Sequence, residues 1–282
     1  MSNLKRALVF AHFSKAKTLS SMVVEALRKY SCLTDEIILV SSSKLQPVGF
    51  NQAAKYCSNI IERENLGYDF CSWKAGIASL GDLENYSEII IINDSTIGPL
   101  EDCSSLFQSL RKDRRDVCGL TLNWEFHRHI QSYFIRFNEN TLRSGAFLEF
   151  WESVSPLESK LEIIQKYEIG LTRFMESAGH TTGALYEPLE FTPIVKRLKL
   201  WYSYGDKRDT RQMLSTFKRM LNTPTLNPVL YLWDDCVRAG LPFCKKELLR
   251  ENPTYLDSNL VLKKIAQHYH IPEEKLTSIA NE

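Results

Sequence analysis

The sequence predicts an α/β fold, a parallel sheet flanked by helices, followed by a helical C-terminal extension. Short apolar, β-branched runs at 8–11, 36–40, 59–62 and 89–92 read as buried strands. Helical spacing fills the gaps between them, as with Leu19, Val23, Ala26 and Leu27 in the segment 16–30. Strands and helices in alternation build a parallel sheet with helices packed on it. Beyond residue 192 the chain turns helical and basic, and Pro224, Pro228, Pro242 and Pro253 mark its breaks. The expected division is therefore 1–191 for the α/β domain and 192–282 for the extension.

Composition narrows the classes. A chain of 282 residues with 44% hydrophobic content supports one α/β unit with an appendage. A formal charge of +1 gives no general basic footprint for nucleic acid. Seven cysteines without a CxxC pair point to reduced thiols in a cytosolic setting. The apolar run 7–11 is too short for a signal segment and reads as the first strand. No run approaches the roughly 20 apolar residues that span a bilayer.

The elements follow in order. The first strand ends at His12, on the border of the place where a nucleotide base is expected. A serine turn, Ser41-Ser42-Ser43, closes the second strand, and the third runs into Glu64-Asn65-Leu66-Gly67-Tyr68-Asp69. Gly67 allows a tight turn there, and the helix expected at 70–80 offers its free N–H groups to a phosphate or sugar hydroxyl. Asp69 reads either as a hydrogen-bond acceptor for ribose or as the N-cap of that helix. One turn in, Trp73 reads as core or platform, and Lys74 as a diphosphate contact or a solvated cation.

Ile89-Ile90-Ile91-Ile92 then changes abruptly to Asn93-Asp94-Ser95. An acid at the carboxyl edge of an open sheet faces a ligand; the plainer role for Asp94 is to start the turn before Gly98-Pro99. Further strands are expected at 117–121, 131–137 and 184–186, and helices at 144–154 and 160–178. Gly179 reads as the residue ending the last of these helices. In the segment 129–134, period two would put His129, Gln131 and Tyr133 on one face, suited to sugar hydroxyls. In the helix 160–178, Leu161, Ile164, Leu171, Phe174 and Ala178 predict a buried face with Glu168 among them.

On these blocks, from Glu64 through Gly76, Asn93 through Leu100, His129 through Phe134, Tyr167 through Leu171 and Pro242 through Arg250, the chain resembles the rhamnan synthesis protein F family. The resemblance implies a GT-A-like, Rossmann-type nucleotide-diphospho-sugar transferase sheet. It also implies transfer of a sugar, typically rhamnose, from a nucleotide-activated donor onto a lipid-linked polysaccharide. Asn65-Leu66-Gly67 is similar to the Asn-x-Gly block that lies beside the donor in GT-A enzymes, with Asp69 following it, and Asn93-Asp94-Ser95 aligns with the acidic metal triplet. Only Asp94 of that triplet is a carboxylate, which still suits Mg²⁺ or Mn²⁺ completed by phosphates and water. Family-2-type transferases place a glycine eleven residues beyond the catalytic acid; Gly179 stands so relative to Glu168. Glu168 is then the base that deprotonates the acceptor in an inverting transfer; an exposed glutamate or a partner for Arg173 is the plain alternative.

The segment 194–220 holds Lys196, Arg197, Lys199, Lys207, Arg208, Arg211, Lys218 and Arg219 against Asp206 and Asp209, with Trp201, Tyr202 and Tyr204 interleaved. Such a segment suits an anionic membrane surface or a lipid diphosphate, or else a solvated helix face. Lys245 and Lys246 are candidates for the acceptor channel. The neighbouring acids Asp234 and Asp235 point in different directions on a helix and do not make a metal pair. A noncatalytic polysaccharide-assembly subunit on the same fold is the rival reading. A dinucleotide oxidoreductase is disfavoured, because no G-x-G-x-x-G follows the first strand.

Overall fold

The structure is a computed structural model that describes residues 4–188, 193–204, 214, 218, 227–254 and 256–281. They group into two compact units. The first holds residues up to 94, 103–120 and 129–185; the second holds 95–102, 121–128 and 186 onward. The single division expected near residue 192 falls outside the described residues.

The first unit is built on β1 (Lys5–His12), α1 (Ser21–Ser31), β2 (Glu36–Ser41), α2 (Pro47–Ala53), β3 (Asn59–Glu62), α3 (Tyr68–Ala78) and β4 (Tyr86–Asn93). A short β5 (Thr96–Ile97), which belongs to the second unit, precedes α4 (Ser104–Lys112), β6 (Val117–Asn123), β7 (His129–Ile130) and β8 (Phe134–Asn138). After α5 (Glu139–Leu142) and α6 (Gly145–Ser153) come α7 (Lys160–Ile163), a π-helical turn (Ile164–Glu168), α8 (Ile169–Ser177) and β9 (Thr182–Tyr186). The strand order is β3-β2-β1-β4-β8-β6-β7, with β9 also paired to β6. The α/β sheet flanked by helices is therefore as the sequence predicts.

β1 is parallel to both β2 and β4, with Val9 level with Ile38 on one side and Ile91 on the other. β8 runs antiparallel to β4 and β6. The chain thus winds outward from β1 through β2 to β3, then returns to the other side of β1 to lay down β4. That reversal opens a crevice at the carboxyl ends of β1 and β4, where open α/β sheets hold their ligands.

α3 lies close on this sheet because Gly76 has no side chain. A Cβ there would sit 2.2 Å from Val9 Cγ1 and 3.0 Å from Val40 Cγ2. Trp73 is wholly buried, and its Nε1 donates to the Ile92 carbonyl at 2.9 Å, so it is core. Phe70 packs against Trp73, Trp151 and Tyr167, with ring centroids 5.1, 6.2 and 5.5 Å away. This aromatic cluster joins α3 to α6 and the π turn.

Two expectations are corrected. The strand expected at 131–137 begins only at Phe134, as β8; a turn over 131–133 separates it from β7, which breaks the period-two face. The helix expected at 160–178 is interrupted by the π turn, whose extra residue rotates the pattern by about 100°. Leu161 is consequently half exposed, while Ile163, Tyr167, Leu171, Thr172 and Met175 take the buried face; Ala178 is exposed where α8 ends. Gly179 ends α8 with φ +86°; the His180 and Gly179 N–H groups return to the Met175 and Glu176 carbonyls at 2.9 and 3.0 Å.

In the second unit, β5 pairs antiparallel with a two-residue strand, Cys244–Lys245. Tyr269 Oη donates to the Leu241 carbonyl at 2.5 Å and Tyr186 Oη to that of Gly240 at 2.9 Å. Asp235 is paired with Lys196 at 2.5 Å, and Asp234 with Arg238 one turn on. The basic segment is described as a helix, Ile194–Tyr204. Its later cations Lys207, Arg208, Arg211 and Arg219 lie outside the described residues. Among the described residues, no helix is long and apolar enough to cross a membrane.

Asp116 ties the start of β6 to the ends of β8 and β9. It accepts from Asn138, Asn140 and the Thr181 N–H and hydroxyl at 2.8–3.1 Å. Burial alone would push its carboxyl up, but the bonds from Asn140, Thr181 and Asn138 outweigh it and hold the group well below the usual carboxylate range. Its stabilisation is therefore complete above the unfolded value of about 4 and fades as pH falls further. Asp116→Asn should lower the urea midpoint at pH 7, with the gap to the natural protein narrowing below about pH 4. Gly76→Ala should cost about 1–3 kcal/mol in the same assay, since neither valine has room to retreat.

Candidate functional site

Polarity changes at the end of β4 because the strand leaves the core there. Asn93 is still buried, and its Nδ2 donates to Asp69 Oδ2 at 2.8 Å, binding β4 to the first turn of α3. The N-cap position of α3 is held by Gly67 in the left-handed region, φ +72°, so Asp69 is not the cap. A Cβ on Gly67 would meet Cys71 Sγ at 2.3 Å and Pro156 Cα at 2.8 Å. Asn65 is exposed on the loop before it. The Arg63 guanidinium fastens that loop, donating to the Leu66 carbonyl and, at 3.1 Å, to Ser72 Oγ.

Asp94 crosses the crevice to β1. Its Oδ2 receives His12 Nδ1 at 2.7 Å and the Phe13 N–H at 3.4 Å, and its side chain is 17% exposed. The other ring nitrogen, His12 Nε2, meets the Thr18 carbonyl at 3.2 Å. Asp94 and Thr18 thus engage both nitrogens of the buried His12 ring. Asp94 Oδ1 bonds to nothing among the described residues.

The same edge reaches Glu168. The Asn93 N–H donates to the Tyr133 carbonyl at 3.3 Å, and the adjacent Ser132 N–H donates to Glu168 Oε1 at 3.0 Å. One turn later in the helix, Thr172 Oγ1 accepts from the Ile130 N–H at 3.0 Å. Glu168 and Thr172, four residues apart, thus present two acceptors to alternate N–H groups beside β7. The π turn that carries Glu168 is held by Tyr167, whose hydroxyl donates to the Ser155 carbonyl at 2.9 Å and accepts its N–H at 2.8 Å. Glu168 is half-buried, and Oε2 bonds to nothing among the described residues.

The sequence profile of the rhamnan synthesis protein F family matches residues 37–193. The chain belongs to that family. The match takes in Asp69, Asp94 and Glu168 but not His12, Lys245 or Lys246. The uncharacterized protein y4gN of Sinorhizobium fredii is 30% identical over 169 residues, 58% of this chain and 44% of that protein. The virulence protein VirA of Vibrio anguillarum is 30% identical over 207 residues, 71% of this chain and 65% of VirA. The chain therefore spans less than two thirds of either relative. A solved structure, 4-diphosphocytidyl-2C-methyl-D-erythritol synthase from Anaerococcus prevotii, overlays with a TM-score of 0.43 at 11% identity, covering 65% of this chain and 89% of that one.

Several expected site residues of this family member lie elsewhere. The Lys74 ammonium donates to the Glu152 and Val154 carbonyls at 2.8 and 2.7 Å, closing the end of α6 instead of reaching outward. His129, Gln131 and Tyr133 are 1%, 3% and 1% exposed, so the open polar face expected of them does not form. In the second unit, Lys245 Nζ donates to Ser95 Oγ at 3.3 Å and the Lys246 N–H to the Ser95 carbonyl at 3.1 Å. Sequence reasoning missed Thr172 and Ser132. The spacing of Thr172 from Glu168 was a readable signal, but the backbone N–H of Ser132 left none. Thr172→Val should cost about 1–3 kcal/mol in urea unfolding, because it strands the buried Ile130 N–H.

Proposed function

We propose that this chain transfers a sugar in bacterial polysaccharide assembly, with Asp94 on the donor side and Glu168 as general base. The donor in this reading is a nucleotide-diphospho-sugar of the dTDP-rhamnose type, and the acceptor a lipid-linked oligosaccharide such as an O-antigen or rhamnan precursor. Family membership supports a nucleotide-sugar transferase activity. The observation that carries the assignment of residues is a path of three hydrogen bonds, His12 to Asp94, the Asn93 N–H to the Tyr133 carbonyl and the Ser132 N–H to Glu168, joined through the adjacent residues 93–94 and 132–133.

Glu168 is suited to proton removal because its two oxygens differ. Oε1 is held by the Ser132 N–H, leaving Oε2 to take the acceptor's hydroxyl proton. The freed oxygen pair attacks the anomeric carbon while the bond to the departing diphosphate breaks, inverting that centre in one displacement. Asp94 offers one unengaged carboxylate oxygen, a donor set that fits Mg²⁺ or Mn²⁺ completed by phosphate and water oxygens. Among the described residues no cluster of three His, Cys, Asp or Glu side chains supplements it. A cation held there would neutralise charge on the leaving diphosphate. The basic segment 194–220 is assigned to an anionic membrane surface, and Lys245 and Lys246 to the acceptor.

Glu168→Gln should lower kcat about 10²–10⁴-fold with donor affinity unchanged, as loss of a general base does. Asp94→Asn should instead weaken donor binding. Steady-state transfer assays with dTDP-rhamnose separate the two effects. Unaltered transfer in both variants would overturn the mechanism and favour a noncatalytic assembly subunit.

A further inference from the structure

His12 lies outside the segment matched by the family profile, yet it makes the shortest side-chain contact to Asp94 in the described structure. A carboxylate with free rotation about its last bond presents either oxygen, or both, to a ligand. Here two donors from the end of β1, His12 Nδ1 and the Phe13 N–H, converge on the same oxygen, Oδ2. The ring that supplies the stronger of them is itself fixed. It is 3% exposed, and its Nε2 is held by the Thr18 carbonyl. Thr18 belongs to a loop pinned on both sides. The Lys17 N–H returns to the Ser14 carbonyl at 3.0 Å, and the Lys17 carbonyl accepts from Gln46 N at 2.8 Å.

We propose that His12 is a positioning residue for the donor site: it holds Oδ2 of Asp94 so that Oδ1 alone faces the crevice between β1 and β4. This rests on the reading of Asp94 as the donor-side carboxylate. Asp94 would then bind a cation through one oxygen, and its geometry would be set by β1 before any ligand arrives. Partners that orient a ligating carboxylate typically account for 10–100-fold in metal affinity.

The two nitrogens of the ring allow a discriminating test. Asn places its amide nitrogen near the position of Nδ1, whereas Gln places its own near Nε2. His12→Asn therefore keeps the donor to Asp94 and loses the bond to Thr18, and His12→Gln does the reverse. Binding of Mn²⁺ with dTDP, followed by electron paramagnetic resonance of the free ion, is compared for the natural protein, both variants and Asp94→Ala, with unfolding midpoints measured in parallel. His12→Gln should bind 10–100-fold more weakly and His12→Asn within about threefold of the natural protein. Equal binding by His12→Gln, with Asp94→Ala defective, would overturn the positioning role and leave the donor reading intact. So would a folded His12→Asn that binds as poorly as Asp94→Ala, even if His12→Gln did not fold. Absence of binding by the natural protein, or normal binding by Asp94→Ala, would overturn the donor reading and this inference with it.

Discussion

Much of the first unit depends on how β4 ends. Its apolar residues are buried on both sides by the sheet's neighbours, so the strand can turn polar only where it leaves the core. Asn93 is the residue at that boundary, and its two N–H donors join different elements. The side chain reaches α3 through Asp69, the N–H reaches the turn before β8 through Tyr133, and the next residue, Asp94, reaches β1 through His12. A buried amide left without such partners would cost several kilocalories. The need to satisfy Asn93 is thus also what gathers the acidic groups at one edge.

The apolar packing below this edge makes its geometry repeatable. Gly76 lets α3 approach Val9 and Val40 closely, and Trp73 bonds to the carbonyl just before Asn93. Phe70, in the first turn of α3, then stacks against Tyr167, which immediately precedes Glu168. The two carboxylates are therefore set by one helix, from opposite sides, through rigid aromatic contacts instead of flexible loops.

The π turn is the place where regular structure yields. An uninterrupted helix through 160–178 would have put Leu161 on the buried face. The insertion instead turns Tyr167 inward and delivers Glu168 and Thr172 to the Ser132 and Ile130 N–H groups at the end of β7. Unpaired strand edges are a hazard that proteins cover, and here the cover includes the carboxylate proposed as base. Structure and chemistry share the group without conflict, since one oxygen serves the edge and the other stays open.

The sequence by itself determined the strands of the parallel half, the close turn at Gly67 and the end of α8 at Gly179. These are local matters of burial pattern, backbone freedom and polarity change. The spacing of Leu106, Phe107 and Leu110 likewise marks the amphipathic α4. Tertiary structure alone decided which polar groups meet. His12 and Asp94 are 82 residues apart, and Ser132 and Glu168 are 36 apart. Lys74 looks outward on a helical wheel, yet it is claimed by carbonyls of α6, and the face of His129, Gln131 and Tyr133 vanishes when the chain turns after Ile130. Periodicity describes how a segment meets an environment averaged over its own length. Hydrogen-bond pairing depends on which elements the sheet order brings together, and that order is a property of the whole packed unit.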